Sequence, residues 1–156
     1  MATSCNSRKV ILITDAGSAV GEASARHLAS QGHCVMLGAG RLERIAMLAR
    51  DITRSGGVAT YQELDCTSRG SLRAFLLIAE ACHGPIDALV NTAGMTPAMV
   101  AVLPVLEAQG IAQVIHVPTD HSLQAQGIAE AIDHALGQPG HFDPGKMFAQ
   151  TGPAPT

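Results

Sequence analysis

The sequence predicts an α/β fold built as a doubly wound parallel sheet, and three observations carry that prediction. Short apolar runs recur five times along the chain, each followed by a stretch of helical length. The hydrophobic fraction is 47% while aromatics supply only 3%, with no Trp, so the core has to be assembled from Ala, Val, Ile and Leu. Gly- and Ser-containing tight loops join the first runs to the stretches after them. Central strands of a parallel sheet are covered on both faces and therefore read as unbroken apolar runs. Parallel neighbours need right-handed crossovers, which put helices on both faces, with a strand order of 3-2-1-4-5.

The first strand is Val10-Ile11-Leu12-Ile13, followed by the loop Asp15-Ala16-Gly17-Ser18-Ala19-Val20-Gly21 and a helix to about Ser30. Gln31-Gly32-His33 ends that helix with glycine where a C-terminal cap needs it, and Cys34-Val35-Met36-Leu37 is the second strand. Gly38-Ala39-Gly40-Arg41 reads as a second loop opening a helix from Leu42 to Ser55, closed by Gly56-Gly57. Val58 to Leu64 alternates as a third strand and ends in Asp65-Cys66-Thr67 before a helix from Ser68 to Cys82. Ile86 to Val90 is the fourth strand, running into Asn91-Thr92-Ala93-Gly94, after which Pro97 and Pro104 bracket a weaker helix ending near Gly110. Gln113 to Val117 is the fifth strand. From Gln124 to Leu136, Ile128, Ile132 and Leu136 mark one helical face. Beyond Gly137 only Lys146-Met147-Phe148 suggests a strand. The chain is expected to form a single domain over residues 1–150 with a flexible tail at 151–156.

Several function classes are disfavoured at once. A net charge of −3 gives no basic surplus for nucleic acid or an anionic membrane. No run reaches membrane-span length, and the polar N-terminus has no secretory core. Cys5, Cys34, Cys66 and Cys82 form neither a zinc pattern nor a disulfide framework, which points to reduced thiols and a cytoplasmic location. His116 and His121 flank Asp120 without metal-ligand spacing, and no metal is expected.

Four segments at strand ends carry a resemblance to a known family. Thr14-Asp15-Ala16-Gly17-Ser18-Ala19-Val20-Gly21 is similar to the T-G-x-x-x-G-x-G loop of the short-chain dehydrogenases/reductases, with Asp15 and Ala19 replacing its first two glycines. Leu37-Gly38-Ala39-Gly40-Arg41-Leu42 resembles L-A-A-R-R-L of NADP-preferring members, Asp65 resembles the Asp that contacts adenine, and Asn91-Thr92-Ala93-Gly94 resembles N-N-A-G with Thr92 replacing an Asn. The resemblance runs over residues 8 to 119 and implies a Rossmann-like dinucleotide-binding domain. It further implies that Thr14, Gly17, Ser18, Gly21, Arg41, Asp65, Asn91, Ala93 and Gly94 lie at the cofactor.

The family's catalytic Tyr-x-x-x-Lys has no counterpart: Tyr61 is the only tyrosine and sits in the third strand, and the only lysines are Lys9 and Lys146. Thr119 falls where the catalytic Ser is expected. The resemblance therefore implies a truncated, degenerate oxidoreductase homologue of weak or absent turnover, with a small carbonyl or alcohol as substrate. If a dinucleotide binds at all, Arg41 and the lack of an acid at Gly38 or Ala39 favour NADP(H) over NAD(H). Asp15 is expected to oppose it, as an N-cap acceptor competing for helix amides and as a charge repelling phosphate. Each residue also has a plainer role: the loop as a simple turn, Arg41 as a solvated helix-start residue, Asp65 as part of a helix-capping segment. Asp120, His121 and Ser122 offer substitute acid-base chemistry or a polar turn. The alternative function is a non-enzymatic binding or regulatory protein on the same scaffold, with any homo-oligomer using an interface other than the family's.

Overall fold

A computed structural model describes residues 8–93, 96–111 and 113–116, together with Gly127. Within them, five strands alternate with four helices: β1 Val10–Thr14, α1 Ala19–Ser30, β2 Cys34–Ala39, α2 Leu42–Arg54, β3 Val58–Glu63, α3 Arg69–His83, β4 Ala88–Asn91, α4 Pro97–Ala108 and β5 Gln113–His116. The sheet order is β3-β2-β1-β4-β5, and every neighbouring pair is parallel, as expected.

Side-chain alternation along the strands divides the interior into two halves. Ile11, Ile13, Val35, Leu37, Ala88, Val90 and Ile115 face one way and meet Ala25 and Leu28 of α1 and Ile45, Leu48 and Ile52 of α2. Leu12, Met36, Leu89 and Val114 face the other way and meet Leu72, Phe75 and Leu76 of α3 and Met99, Val102 and Leu106 of α4. Helical spacing of the buried positions, such as Ile45, Leu48, Ala49 and Ile52, supplies the stripe each helix needs to pack on a sheet. Ser18, Ser68 and Thr96 cap α1, α3 and α4 by accepting from the amides three residues on.

Several sequence expectations are corrected. Gly38 and Ala39 are the last two residues of β2, so the second loop is shorter than expected. A β-carbon at Gly38 would stand 2.7 Å from Leu64 Cδ2 and 2.9 Å from the Phe75 ring, so glycine there admits the aromatic ring of α3. Pro97 opens α4, which runs through Pro104 to Ala108, close to the expected end near Gly110. The first loop is also shorter, because α1 begins at Ala19 and contains Gly21.

At the amino end of the sheet, His83 closes α3 against two strands: its Nδ1 lies 3.3 Å from Cys34 Sγ and its Nε2 2.8 Å from Thr60 Oγ1. The expected helix over 124–136, apart from Gly127, lies outside the described residues. The strand at 146–148 and the tail at 151–156 also lie outside them.

Candidate dinucleotide site

The carboxyl ends of β1 and β4 are tied together by a small buried network. Thr14 Oγ1 donates to Asn91 Oδ1 at 2.7 Å and accepts from the Thr92 amide at 3.2 Å. Thr92 Oγ1 donates to the carbonyls of Thr14 at 2.5 Å and Asp15 at 3.2 Å. Asn91 Oδ1 also accepts from the Ala93 amide at 3.2 Å. Thr14, Asn91 and Thr92 are all buried, so their polar groups act as a brace behind the loop. Sequence reasoning treated Thr92 only as a departure from a motif. Its β-hydroxyl reaching back across two strands is the role that reasoning missed.

In front of the brace lies the β1–α1 loop. Asp15 has a φ of +52°, the left-handed conformation for which a motif glycine is the ordinary solution and which Asp and Asn tolerate better than most residues. Asp15 is not the cap of α1, contrary to expectation. Ser18 holds that position, with its Oγ accepting from the Gly21 amide at 3.0 Å and donating to the Asp15 carbonyl at 3.0 Å. Among the described residues, the amides of Ala19 and Val20 in the first turn keep no such acceptor, as a helix N-terminus allows. Gly21 is fixed by packing, since a β-carbon there would lie 2.4 Å from the Asp15 carbonyl oxygen.

The Arg44 side chain lies alongside Gly17, with its Cδ 3.5 Å from where a β-carbon on that glycine would stand. Arg41 is exposed at the start of α2 and makes no side-chain capping bond. Both arginines line an open cleft of about 790 Å³ with Ala16, Gly40, Glu22 and Arg26. Arg44 was not singled out from the sequence. Its distance of three residues from Arg41, one helical turn, is the signal that could have found it.

Asp65 follows β3. Its Oδ1 accepts from the Thr67 hydroxyl at 2.6 Å and amide at 2.9 Å, and these bonds hold the carboxyl below its usual range. Ser68, not Asp65, caps α3. Next to Asp65, burial first and the charges of Asp15 and Asp65 second push the Cys66 thiol up to about 11.

Thr14, Gly17, Ser18, Gly21, Asn91 and Ala93 thus gather around one loop, with Arg41 at the mouth of the cleft beside it and Asp65 just beyond β3. Gly94, Thr119, Asp120, His121 and Ser122 lie outside the described residues, as does the side chain of His116. Tyr61 stands on the edge strand β3, about half exposed.

Comparison with known proteins agrees with this geometry. Residues 9–137 match the model of the short chain dehydrogenase family. An uncharacterized oxidoreductase of Listeria innocua is 36% identical over 89 residues, which are 57% of this chain and 36% of that protein. A metagenomic short-chain oxidoreductase solved in complex with NADP superimposes with a TM-score of 0.59 at 27% identity, covering 75% of this chain and 66% of that one. An alcohol dehydrogenase from Thermococcus sibiricus, complexed with 5-hydroxy-NADP, shares the fold with a TM-score of 0.63 at 21% identity, over 86% of this chain and 74% of its own. The chain spans about a third of the length of the curated relatives it matches. With the loop, the Asn91 corner, the strand order and the match to 9–137 in hand, the conclusion is that this chain belongs to the short chain dehydrogenase family.

Proposed function

We propose that this chain binds a dinucleotide at the β1–α1 loop, NADP(H) in preference to NAD(H), and is weak or inactive in redox turnover. The observation that carries the reading is the loop itself: Gly21 packed on the Asp15 carbonyl, the Ala19 and Val20 amides left at the start of α1, and Arg44 beside Gly17. Helix amides and a close-approaching backbone suit a pyrophosphate. Arg41 and Arg44 suit a 2′-phosphate, which guanidinium groups bind in forked geometry.

When bound, the nicotinamide supplies the hydride. Gly17, Ser18 and the first amides of α1 hold the phosphates, Asp65 meets the adenine end, and Thr14 and Asn91 keep the loop in register from behind. The family resemblance would give Ala93 and Gly94 a role at the cofactor and the Thr119 hydroxyl the polarising of a small carbonyl or alcohol. What this chain does not supply is a phenol with a neighbouring lysine, since Tyr61 is on the far edge strand. Losing a positioned proton donor slows such chemistry by about 100- to 10,000-fold. A cytoplasmic location fits the unbridged thiols of Cys34, Cys66 and Cys82.

One observation favours a second reading, a binding or regulatory protein without a dinucleotide: Asp15, an acid, occupies the left-handed loop position just before α1 where the motif has glycine. Titration of NADPH and NADH, followed by nicotinamide fluorescence, separates the two. Saturable binding, tighter for NADPH and tightened further by Asp15→Gly, supports the first reading. Silence at millimolar ligand in both the wild type and Asp15→Gly overturns it in favour of the second.

A further inference from the structure

Two peptide planes meet at the α-carbon of Asp15, and a single hydroxyl touches both. The Thr14 carbonyl belongs to the plane before that carbon and the Asp15 carbonyl to the plane after it, so their orientations fix φ and ψ at residue 15. Thr92 Oγ1 lies 2.5 Å from the first oxygen and 3.2 Å from the second. A threonine hydroxyl carries one hydrogen, which is therefore shared between the two. The Thr92 amide, donating to Thr14 Oγ1 at 3.2 Å, seats the same residue on the end of β1. Thr92 is buried, where such bonds are stronger than in water.

That grip matters here because φ at Asp15 is +52°, a conformation that glycine takes freely and a residue with a β-carbon takes at a cost. The start of α1 is built on the result. The Asp15 carbonyl also accepts from the Ser18 amide at 3.1 Å and the Ser18 hydroxyl at 3.0 Å, and Ser18 caps α1. The same oxygen stands 2.4 Å from where a β-carbon on Gly21 would be, so it also sets how closely the first turn approaches. From the other side, the Gly38 carbonyl of β2 holds the Ala16 amide at 2.9 Å. A chain of contacts thus runs from Thr92, just after β4, through the Asp15 carbonyl to the first turn of α1.

Resting on the reading that a dinucleotide occupies this loop, we propose that Thr92 is a positioning residue of the binding site, its hydroxyl being what admits a residue other than glycine at position 15. Thr92 and Asp15 form a coupled pair. The hydroxyl holds the left-handed turn that the β-carbon at 15 disfavours, and α1 presents its first amides to a pyrophosphate from the place that turn gives it. Glycine at 15 needs no such hold. The two departures from the motif, at 15 and at 92, then answer one another across neighbouring strands.

The test is a double-mutant cycle on the full chain. Thr92→Val removes the hydroxyl while keeping the branched shape, Thr92→Ser keeps the hydroxyl, and each is made with and without Asp15→Gly. NADPH affinity is read by nicotinamide fluorescence, and chemical-denaturation midpoints are read without ligand. With Asp15 present, Thr92→Val should weaken NADPH roughly tenfold and lower the midpoint, as losing a buried hydrogen bond does, and Thr92→Ser should restore both. With glycine at 15, the affinity loss on Thr92→Val should shrink by about threefold or more, and the midpoint loss with it. Equal losses in both backgrounds, a lowered midpoint with unchanged affinity, or a Thr92→Ser variant as weak as Thr92→Val would overturn the proposal while leaving dinucleotide binding intact. If Thr92→Val does not fold by itself, the double variant decides: it is expected to fold, and its failure to do so overturns the pairing. Absence of binding by every variant would remove the proposed function and the binding role of Thr92 together. The denaturation cycle then decides the pairing alone, coupled midpoints upholding it and additive ones overturning it.

Discussion

Single atoms decide what the loop can be. A methyl at Gly21 would press on the Asp15 carbonyl at 2.4 Å, and the oxygen it meets is backbone, which cannot rotate away. Gly21→Ala should therefore cost about 1–3 kcal/mol in chemical denaturation, as overpacking does. Asn91→Ala strips the buried Thr14 hydroxyl and the Ala93 amide of their acceptor at once, and a loss of about 1–3 kcal/mol is expected from the same measurement. Asp15 has the opposite sign. Burial raises its pKa in the folded state, so the unfolded chain releases that proton more readily. Its unfavourable contribution is absent below the ordinary carboxylate range and grows as pH rises through the raised folded value. Melting curves should find Asp15→Asn more stable than the wild type at neutral pH and no more stable in acid. Asp65, lowered by Thr67, works the other way, and its favourable contribution fades as pH falls through the lowered value. None of this was legible in the sequence beyond the identities at 15 and 21, because a φ value and a 2.4 Å approach belong to the folded backbone.

The elements were more legible than their contacts. Apolar runs located all five strands, and the Gly-, Ser- and Pro-containing segments bounding the stretches between them located the first four helices. The boundary error at Gly38 has a physical cause. Glycine reads locally as a turn residue, yet here it is a strand residue made necessary by Phe75 arriving from α3. Phe75→Ala should cost about 3–5 kcal/mol, because the ring is fully enclosed between α3 and β2. The expected end of α4 near Gly110 is close to the observed Ala108, and tertiary packing of Met99, Val102 and Leu106 holds the helix through Pro104. At the start of α2, Arg41 and Arg44 line the cleft beside the glycine loop, and only Arg41 was foreseen. Arg44→Ala should weaken NADPH roughly 10- to 100-fold in fluorescence titration, the loss appropriate to a charged hydrogen bond, while changing NADH little. Equal losses for both ligands would place Arg44 at the pyrophosphate instead.

At the scale of the molecule, the sheet order puts β1 and β4 side by side while their connections leave on opposite faces, α1 on one and α4 on the other. Open α/β sheets bind ligands at that divide, outside the carboxyl ends of the strands. The strand order was legible because right-handed crossovers leave few alternatives. That Tyr61, the one tyrosine among these 156 residues, lies in β3 was legible from residue identities and strand alternation alone. The central claim is that the β1–α1 loop still receives a dinucleotide, and amide chemical shifts of the isotopically labelled 156-residue chain during NADPH titration test it most directly. The account predicts saturable shifts at Gly17, Ala19 and Val20 and around Arg41 and Arg44. Unmoved amides at the start of α1 up to millimolar NADPH, or shifts confined to the amino end of the sheet around His83, would contradict it.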